Sequence, residues 1–405
     1  MSLVPHSIEK MPRKAENSLI ALSQVEFSSR LATADDAFRI MQLYQVAYSG
    51  TYPDPLMREL STLKTFLENR NHFWFLGEVD GEVMASVIIR YDAENLLAKA
   101  LGAVVSEDYR KQGLMELLLS QAIDHVQFHT AGVDVIYATT RTIHEGAQAL
   151  TDRLGFKKLG IFPNSHKTSE FETHCLTAVF SRNSLNKRFA DYKLHARLKG
   201  LADLVAQEVP SIRPIDTIVP EAVTRTLVAP PMLEMIESEH FVRHRYETLK
   251  KNGKLQFAFF PFHQPNVMVV SPDQAIEFFC FHSSQDGYSV IIGGKVENPN
   301  VDYAQLFTTI ANLLRENQAR YVETIIRADK PKIIESILKA KFIPSAFFPA
   351  FQLHNDKRYD YVVMSKTFEI FDFQNIRLKG LNQKYLEEYY RQWKQTSLNP
   401  KLLDI

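Results

Sequence analysis

Apolar and polar positions alternate or recur along the chain in a way that predicts a mixed succession of strands and helices. Residues 27–31 read as a strand, after which Thr33-Ala34-Asp35-Asp36 offers a cap to a helix over 37–48. In that helix Ile40, Leu43, Tyr44 and Ala47 share one face. A second helical pattern covers 56–67. Residues 73–78 and 83–91 alternate as strands around Asp80-Gly81, a hairpin signal. A fourth strand over 98–105 is broken by Ser106, Glu107 and Asp108. Beyond it Met115, Leu118, Leu119, Ala122 and Val126 return at helical spacing. A β-branched strand over 133–140 and a helix over 145–154 follow, the helix stopped at Gly155. Strands over 156–162 and 172–181 close this half.

The second half starts with a charged helical pattern over 183–207, with Leu194, Leu198, Leu201 and Val205 on one side. A proline-punctuated extended connection over 209–231 comes next, then a helix over 233–252. Strands are predicted over 254–262, 267–270, 275–282 and 288–296. A helix over 303–317, a strand over 321–327 and a helix over 331–340 precede strands over 343–353 and 359–366. A helix over 382–394 ends the chain. This order repeats the end of the first half. Sliding 133–163 onto 319–349 without a gap sets Arg141 on Arg327, Phe156 on Phe342, Gly160 on Ala346, Phe162 on Phe348 and Pro163 on Pro349. Identity is low, and chance is the alternative reading.

At 405 residues the chain is too long for one ordinary core, so two domains are expected. The expected organisation is an N-terminal extension over 1–25, a first domain over 26–182, a connector over 183–232, a second domain over 233–370 and a helical tail over 371–405. Lys plus Arg equals Asp plus Glu, at 47 each, so no global field favours nucleic acid or a membrane surface. Cys175 and Cys280 stand far apart and make no disulfide framework, which fits a reducing, cytoplasmic setting. No apolar run is long enough to span a bilayer, and the N-terminus has no apolar core of the signal-peptide kind.

The chemistry concentrates at the end of the fourth strand. Val104 and Val105 close an apolar run, Arg110-Lys111-Gln112-Gly113 follows, and a helix opens at Leu114 and Met115. A basic, glycine-containing loop entering a helix is suited to hold an anion, because first-turn amides have no intrahelical partner. Read alone, the stretch is equally an ordinary basic surface turn. With the element order and with Leu154-Gly155-Phe156 after the last helix of this half, it resembles the acyl-CoA pyrophosphate loop of the Gcn5-related N-acetyltransferases, the GNAT superfamily. The resemblance covers about 27–182. Met115 departs from the small residue usual at its position.

The resemblance implies an α/β (α+β) fold of two acetyltransferase-like domains, each a mixed, mostly antiparallel sheet flanked by helices. It implies acetyl-CoA or another acyl-CoA as co-substrate, with no metal. Val104 and Val105 take the role of binding pantetheine and the thioester oxygen. Arg110, Lys111, Gln112, Gly113, Leu114 and Met115 take the pyrophosphate. The positions that in many relatives hold an Asn and a proton-donating Tyr are here His144 and Thr151, the catalytic candidates. A threonine hydroxyl is too weak an acid to replace a phenol. His144 is the imidazole candidate for proton transfer, with a helix cap or solvent-facing role as its other reading. Glu78, Asp92 and Glu94 are candidate bases by position, and His166 and His174 flank the last hairpin of the half. In the second copy Glu297-Asn298-Pro299-Asn300 replaces the basic loop, so that copy is expected not to bind acyl-CoA and to shape the acceptor pocket or the domain interface, a different ligand in its cleft being the alternative. His240 and His244 stand one turn apart but lack the His-Glu-x-x-His order of zinc proteases.

The function expected is transfer of an acyl group, acetyl first, to the amine of a small molecule or amino acid by direct attack. A non-catalytic acyl-CoA-binding protein and a protein N-acetyltransferase are the alternatives. The expected partner is a small amine, with no nucleic acid and no membrane. The fused pair either replaces a homodimer or itself forms one.

Overall fold

Turn chemistry and strand alternation carry most of the first half as expected. The computed structural model describes residues 27–50, 52, 55–69, 71–128, 132–167, 171–221, 224 and 226–398; the N-terminal extension expected over 1–25 lies outside them. The chain divides into two compact units, the first up to Ile89 with Ala100–His129, the second Arg90–Lys99 with Thr130 onward.

In the first unit β1 (Phe27–Leu31) leads to α1 (Ala37–Ala47) and α2 (Leu60–Leu67), then β2 (His72–Val79), β3 (Glu82–Asp92), β4 (Leu97–Val105) and α3 (Leu114–Phe128), the ends of β3 and β4 running into the second unit. β1 pairs antiparallel with β2, Phe27 opposite Val79, and the strand order is β1-β2-β3-β4. Ile40, Leu43 and Tyr44 of α1 are buried with Leu63, Trp74 and Leu76, the face the periodicity picks out. The second helix is shorter than expected, because Pro55–Met57 forms a separate 3-10 turn ahead of it.

The second unit begins with β5 (Val135–Arg141), α4 (Gly146–Arg153), β6 (Lys157–Lys167) and β7 (Phe171–Phe180). The single helix expected over 183–207 is instead α5 (Arg182–Asn186), a short β8 (Leu194–His195) and α6 (Lys199–Glu208). The interruption has a cause. The Phe189 amide donates to the Arg358 carbonyl at 2.7 Å, and Arg188 pairs with buried Asp360 at 2.6 Å. β9 (Thr217–Ile218) pairs with β8. The helix expected over 233–252 divides into an edge strand β10 (Glu234–Glu237) and α7 (Glu239–Lys251), since Glu234–Glu237 finds a pairing partner in the strand that follows.

β11 (Val267–Val270), β12 (Ile276–Ser283), β13 (Tyr288–Val296), α8 (Tyr303–Glu316), β14 (Tyr321–Arg327), α9 (Pro331–Lys339), β15 (Ile343–His354), β16 (Lys357–Thr367) and α10 (Leu381–Ser397) complete the chain. The sheet of this unit runs β5-β7-β6-β15-β16-β14-β13-β12-β11-β10. β13 and β14 are parallel; the other registered neighbours are antiparallel. The β6–β7 and β15–β16 pairs share a pattern of register shifts. The β6–β7 register shifts between Lys158 and Gly160 and between Phe162 and His166. The β15–β16 register shifts between Pro344 and Ala346 and between Phe348 and Gln352, the positions the gapless alignment makes equivalent. Bulges that re-aim a strand are positional devices, and their recurrence does not depend on side-chain identity.

The strand expected over 254–262 is absent. Gln256 makes one antiparallel bridge to Gly294, and the rest of the segment is irregular. Its consequence belongs to the site.

Candidate functional site

In the first unit, Gly102 within β4 takes a φ of +62°, four residues before the loop that ends the strand. The Tyr44 hydroxyl of α1 donates to the Gly102 carbonyl, and a Cβ at Gly102 would lie 2.9 Å from the Tyr44 oxygen. Val104 is buried and Val105 half-buried beyond Gly102. The loop then makes a 3-10 turn, Glu107–Tyr109. Lys111 and Gly113 both take positive φ, +64° and +85°. Alternating such residues with ordinary ones aims successive amides to one side, a concave anion seat. The first helical bond of α3 runs from the Leu117 amide to the Gly113 carbonyl at 3.0 Å, so Gly113 is the N-cap. The amides of the first turn face outward with the dipole behind them.

The side chains agree with this backbone. The Gln112 amide group ties the loop to the Asp108 carbonyl at 2.7 Å. The Arg110 guanidinium is half exposed and only loosely held, 3.4 Å from the Val105 carbonyl and 3.9 Å from Glu107. Leu114 is buried, while Met115 is half-buried. The set of donors fits a diphosphate.

In the second unit the expected proton-transfer positions are occupied in other ways. Thr151 of α4 is buried, and its hydroxyl lies 3.1 and 3.0 Å from the helix carbonyls of Ala147 and Gln148, to which it donates. His144 is exposed just before α4. Gln148, on the same helix, anchors the tail. Its side chain donates to the Arg377 carbonyl at 2.7 Å and accepts from Asn382 at 2.9 Å.

A cavity of about 70 Å³ opens on the sheet of this unit. Lys99, at the second unit's end of β4, faces it with Tyr137 of β5, the ammonium 5.8 Å from the ring centroid. Ser165 and His166 of β6 and His174 of β7 join from the first copy. His263, Tyr288 of β13 and Glu323 of β14 join from the second. The Tyr288 and Tyr321 phenols donate to the two oxygens of Glu323 at 2.6 and 3.0 Å. His166 stacks between Tyr288 and His174, at 4.6 and 4.8 Å. Burial dominates the electrostatics. It pushes the Lys99 ammonium down to about 8, His174 to about 4 and His263 to about 3, and it raises the Glu323 carboxyl.

His166 and His174 were visible in the sequence as flanking residues. Lys99, Tyr137, Tyr288 and Glu323 were not, since each lies in a strand pattern as an ordinary inward or outward position.

Past the end of the β13–β14 pairing, Gln256 bridges to β13. β13 and β14 pair only from Tyr288 to Ile291 with Tyr321 to Thr324. Beyond that, the Gln256 amide donates to Gly294 at 2.6 Å and its carbonyl accepts from the Gly294 amide at 3.0 Å. The Gln256 side chain reaches the Val296 carbonyl at 3.3 Å and accepts from the Tyr303 hydroxyl, on the first residue of α8, at 2.8 Å. The amides that open α8 are taken by the chain itself, since the Asp302 carboxylate accepts from Ala304 and Gln305 at 2.8 and 3.3 Å.

Residues 37–156 match the model of the acetyltransferase (GNAT) family. That segment is a GNAT domain. It contains the loop at Arg110–Met115, and acyl transfer is the chemistry class it brings to the chain. GNAT enzymes use acetyl-CoA generally. Among solved structures, the ribosomal-protein-S18-alanine N-acetyltransferase of Escherichia coli is similar at 22% identity, over 38% of this chain and 94% of its own, with a TM-score of 0.34. A GNAT-family acetyltransferase of Streptococcus pneumoniae is similar at 20% identity over 38% and 100%, with a TM-score of 0.35. A ribosomal-protein-alanine N-acetyltransferase of Brucella melitensis is similar at 18% over 38% and 99%, with a TM-score of 0.34. No curated protein matches the sequence. The GNAT assignment rests on the match over 37–156 and not on these likenesses. Among the described residues no helix is long and apolar enough to cross a membrane, and no group of three or more His, Cys, Asp or Glu side chains is placed to hold a metal ion.

Proposed function

We propose that the chain is an acyl-CoA-dependent N-acyltransferase that moves acetyl from acetyl-CoA to the amine of a small molecule or amino acid. The observation that carries this reading is the anion seat at Lys111–Gly113 opening α3, inside the GNAT-matching segment. Arg110, Lys111 and the first-turn amides of α3 hold the diphosphate, and the backbone at Val104 and Val105 holds pantetheine and the thioester oxygen. The amine nitrogen attacks the thioester carbonyl, the carbon–sulfur bond breaks, and the amine's surplus proton leaves for solvent or for the CoA thiolate. Thr151 supplies no proton to that thiolate, because its hydroxyl is committed to helix carbonyls.

The second copy, from β10 to β16, is read as a GNAT-like domain that has given up its co-substrate. Gln256 bonds to β13 where the strand cleft would open, and Asp302 caps the helix that would otherwise face a phosphate.

Calorimetric titration with acetyl-CoA and with CoA tests the reading. Wild type should bind one equivalent. Arg110→Ala should weaken binding, and Gly113→Pro should abolish it with the fold intact, since proline can neither take φ +85° nor donate an amide. Unchanged affinity in Gly113→Pro, or no binding in wild type, overturns the reading. One observation, the committed Thr151 hydroxyl, favours a second reading in which the chain binds acyl-CoA without turnover. Binding of acetyl-CoA with no acetylation across a broad panel of amines would decide for it.

A further inference from the structure

We propose that the cavity of the second unit binds a small apolar amino acid, with its carboxylate at Lys99 and its amine at Glu323. Naming this ligand as the acyl acceptor rests on the acyltransferase reading; its binding does not.

The argument starts from unmet charge. Among the described residues no hydrogen-bond or ion-pair partner reaches the Lys99 ammonium, whose contact is the Tyr137 ring. A desolvated cation without a partner is costly, and a ligand anion removes that cost. The field of Arg90 adds to that cost, and the Glu323 carboxylate offsets only part of it. Ser165 is 3% exposed, and its hydroxyl has no partner although it lines the same cavity. The same cavity is lined by the Glu323 carboxyl group, fixed by two phenols and retaining lone pairs beyond those two bonds.

One ligand must therefore present both signs. A plain carboxylate leaves Glu323 facing an anion, and a plain amine leaves Lys99 unpaired. The remaining wall is largely apolar, with Leu176, Ile325 and Val363 beside Phe348 and Phe351, which stack 3.9 Å apart, so an apolar side chain is favoured over a polar one. The cavity's about 70 Å³ holds roughly five to seven water-sized groups, the scale of an amino acid and not of a peptide.

The test compares L-leucine with isoamylamine, which lacks the carboxylate, and with 4-methylpentanoate, which lacks the amine. Each is titrated by calorimetry into the full chain without acyl-CoA. L-leucine should bind at least about tenfold more tightly than either, the size of one charge-assisted hydrogen bond. Lys99→Met should bring L-leucine to the level of isoamylamine, and Glu323→Gln should remove its advantage over 4-methylpentanoate. The wild-type comparison needs no variant to fold. Equal affinities, or no binding of L-leucine, overturn the proposal. L-leucine binding with no acetyl transfer to it or to any amine of the panel leaves the site standing and removes the acyltransferase reading. Acetyl transfer to other amines with no L-leucine binding does the reverse.

Discussion

Gly160 of β6 is the antiparallel partner of Ala346 of β15, and these are the residues that the internal repeat makes equivalent. β6 and β15 thus meet antiparallel at this pair. A Cβ on Gly160 would lie 2.2 Å from the Ala346 Cβ and 2.4 Å from the Ser345 carbonyl oxygen.

Gly160→Ala should therefore destabilise the chain by about 1–3 kcal/mol or more, the range for overpacking, read as a lower melting temperature. Because the clash includes Ser345 backbone, adding Ala346→Gly should not restore stability. Full rescue by the double variant would refute a backbone clash.

Arg358 is fully buried and gathers the unit around it. It donates to the carbonyls of Asn95 at 2.8 Å, Ala350 at 3.1 Å and Phe351 at 3.2 Å, and pairs with Asp134 at 3.2 Å. Arg358→Met leaves the Asp134 carboxylate without this cation and should cost about 3–5 kcal/mol in urea denaturation. Arg358→Lys should recover little, because one ammonium cannot replace the forked donors.

Acetyl-CoA should bind with a stoichiometry of one per chain, since Gln256 bonds to β13 beyond its pairing with β14 and Asp302 caps α8. Gly293→Ala would set a Cβ 2.7 Å from the Phe257 carbonyl oxygen and should lower the melting temperature without changing that stoichiometry. A wild-type value near two would overturn this reading of the second copy.

Acidification should destabilise the second unit before its carboxylates titrate. Burial, the largest cause, holds His174 at about 4 and His263 at about 3, against an ordinary 6.5. Between those values and 6.5 the unfolded chain binds protons that the folded chain refuses, so stability falls as pH drops. At about 1.4 kcal/mol per unit for each histidine, the two together should cost on the order of 4 kcal/mol between pH 7.5 and 5. The neighbours of His174 (Glu172, Arg141 and His166) are counted in its value. Glu323, raised by burial, works in the opposite sense, since its protonation favours the folded state. His174→Asn should flatten the pH 5 to 7.5 profile of unfolding free energy; an unchanged slope would remove His174 as a source.

Where structure follows from neighbours in sequence, the residues alone were enough. The hairpin at Asp80-Gly81 and the helix stop at Gly155 are set by local sterics and by period. The same locality misled at 183–207, 233–252 and 254–262. There a helical or strand pattern lost to long-range partners: the Arg358 carbonyl, β11 and Gly294.

The sequence by itself determined most of the elements of the first half, the basic glycine loop at Arg110–Gly113 and the absence of such a loop at Glu297–Asn300, because each is written in adjacent residues whose backbone conformations are limited. Only the tertiary structure decided that Lys99, Ser165 and Glu323 share one cavity, and that Gln256 bonds to β13 at Gly294. Charges more than a hundred residues apart carry no mutual signature in a linear pattern; burial, which turns a surface-type lysine or glutamate into a desolvated group with a shifted proton affinity, exists only once the strands have paired.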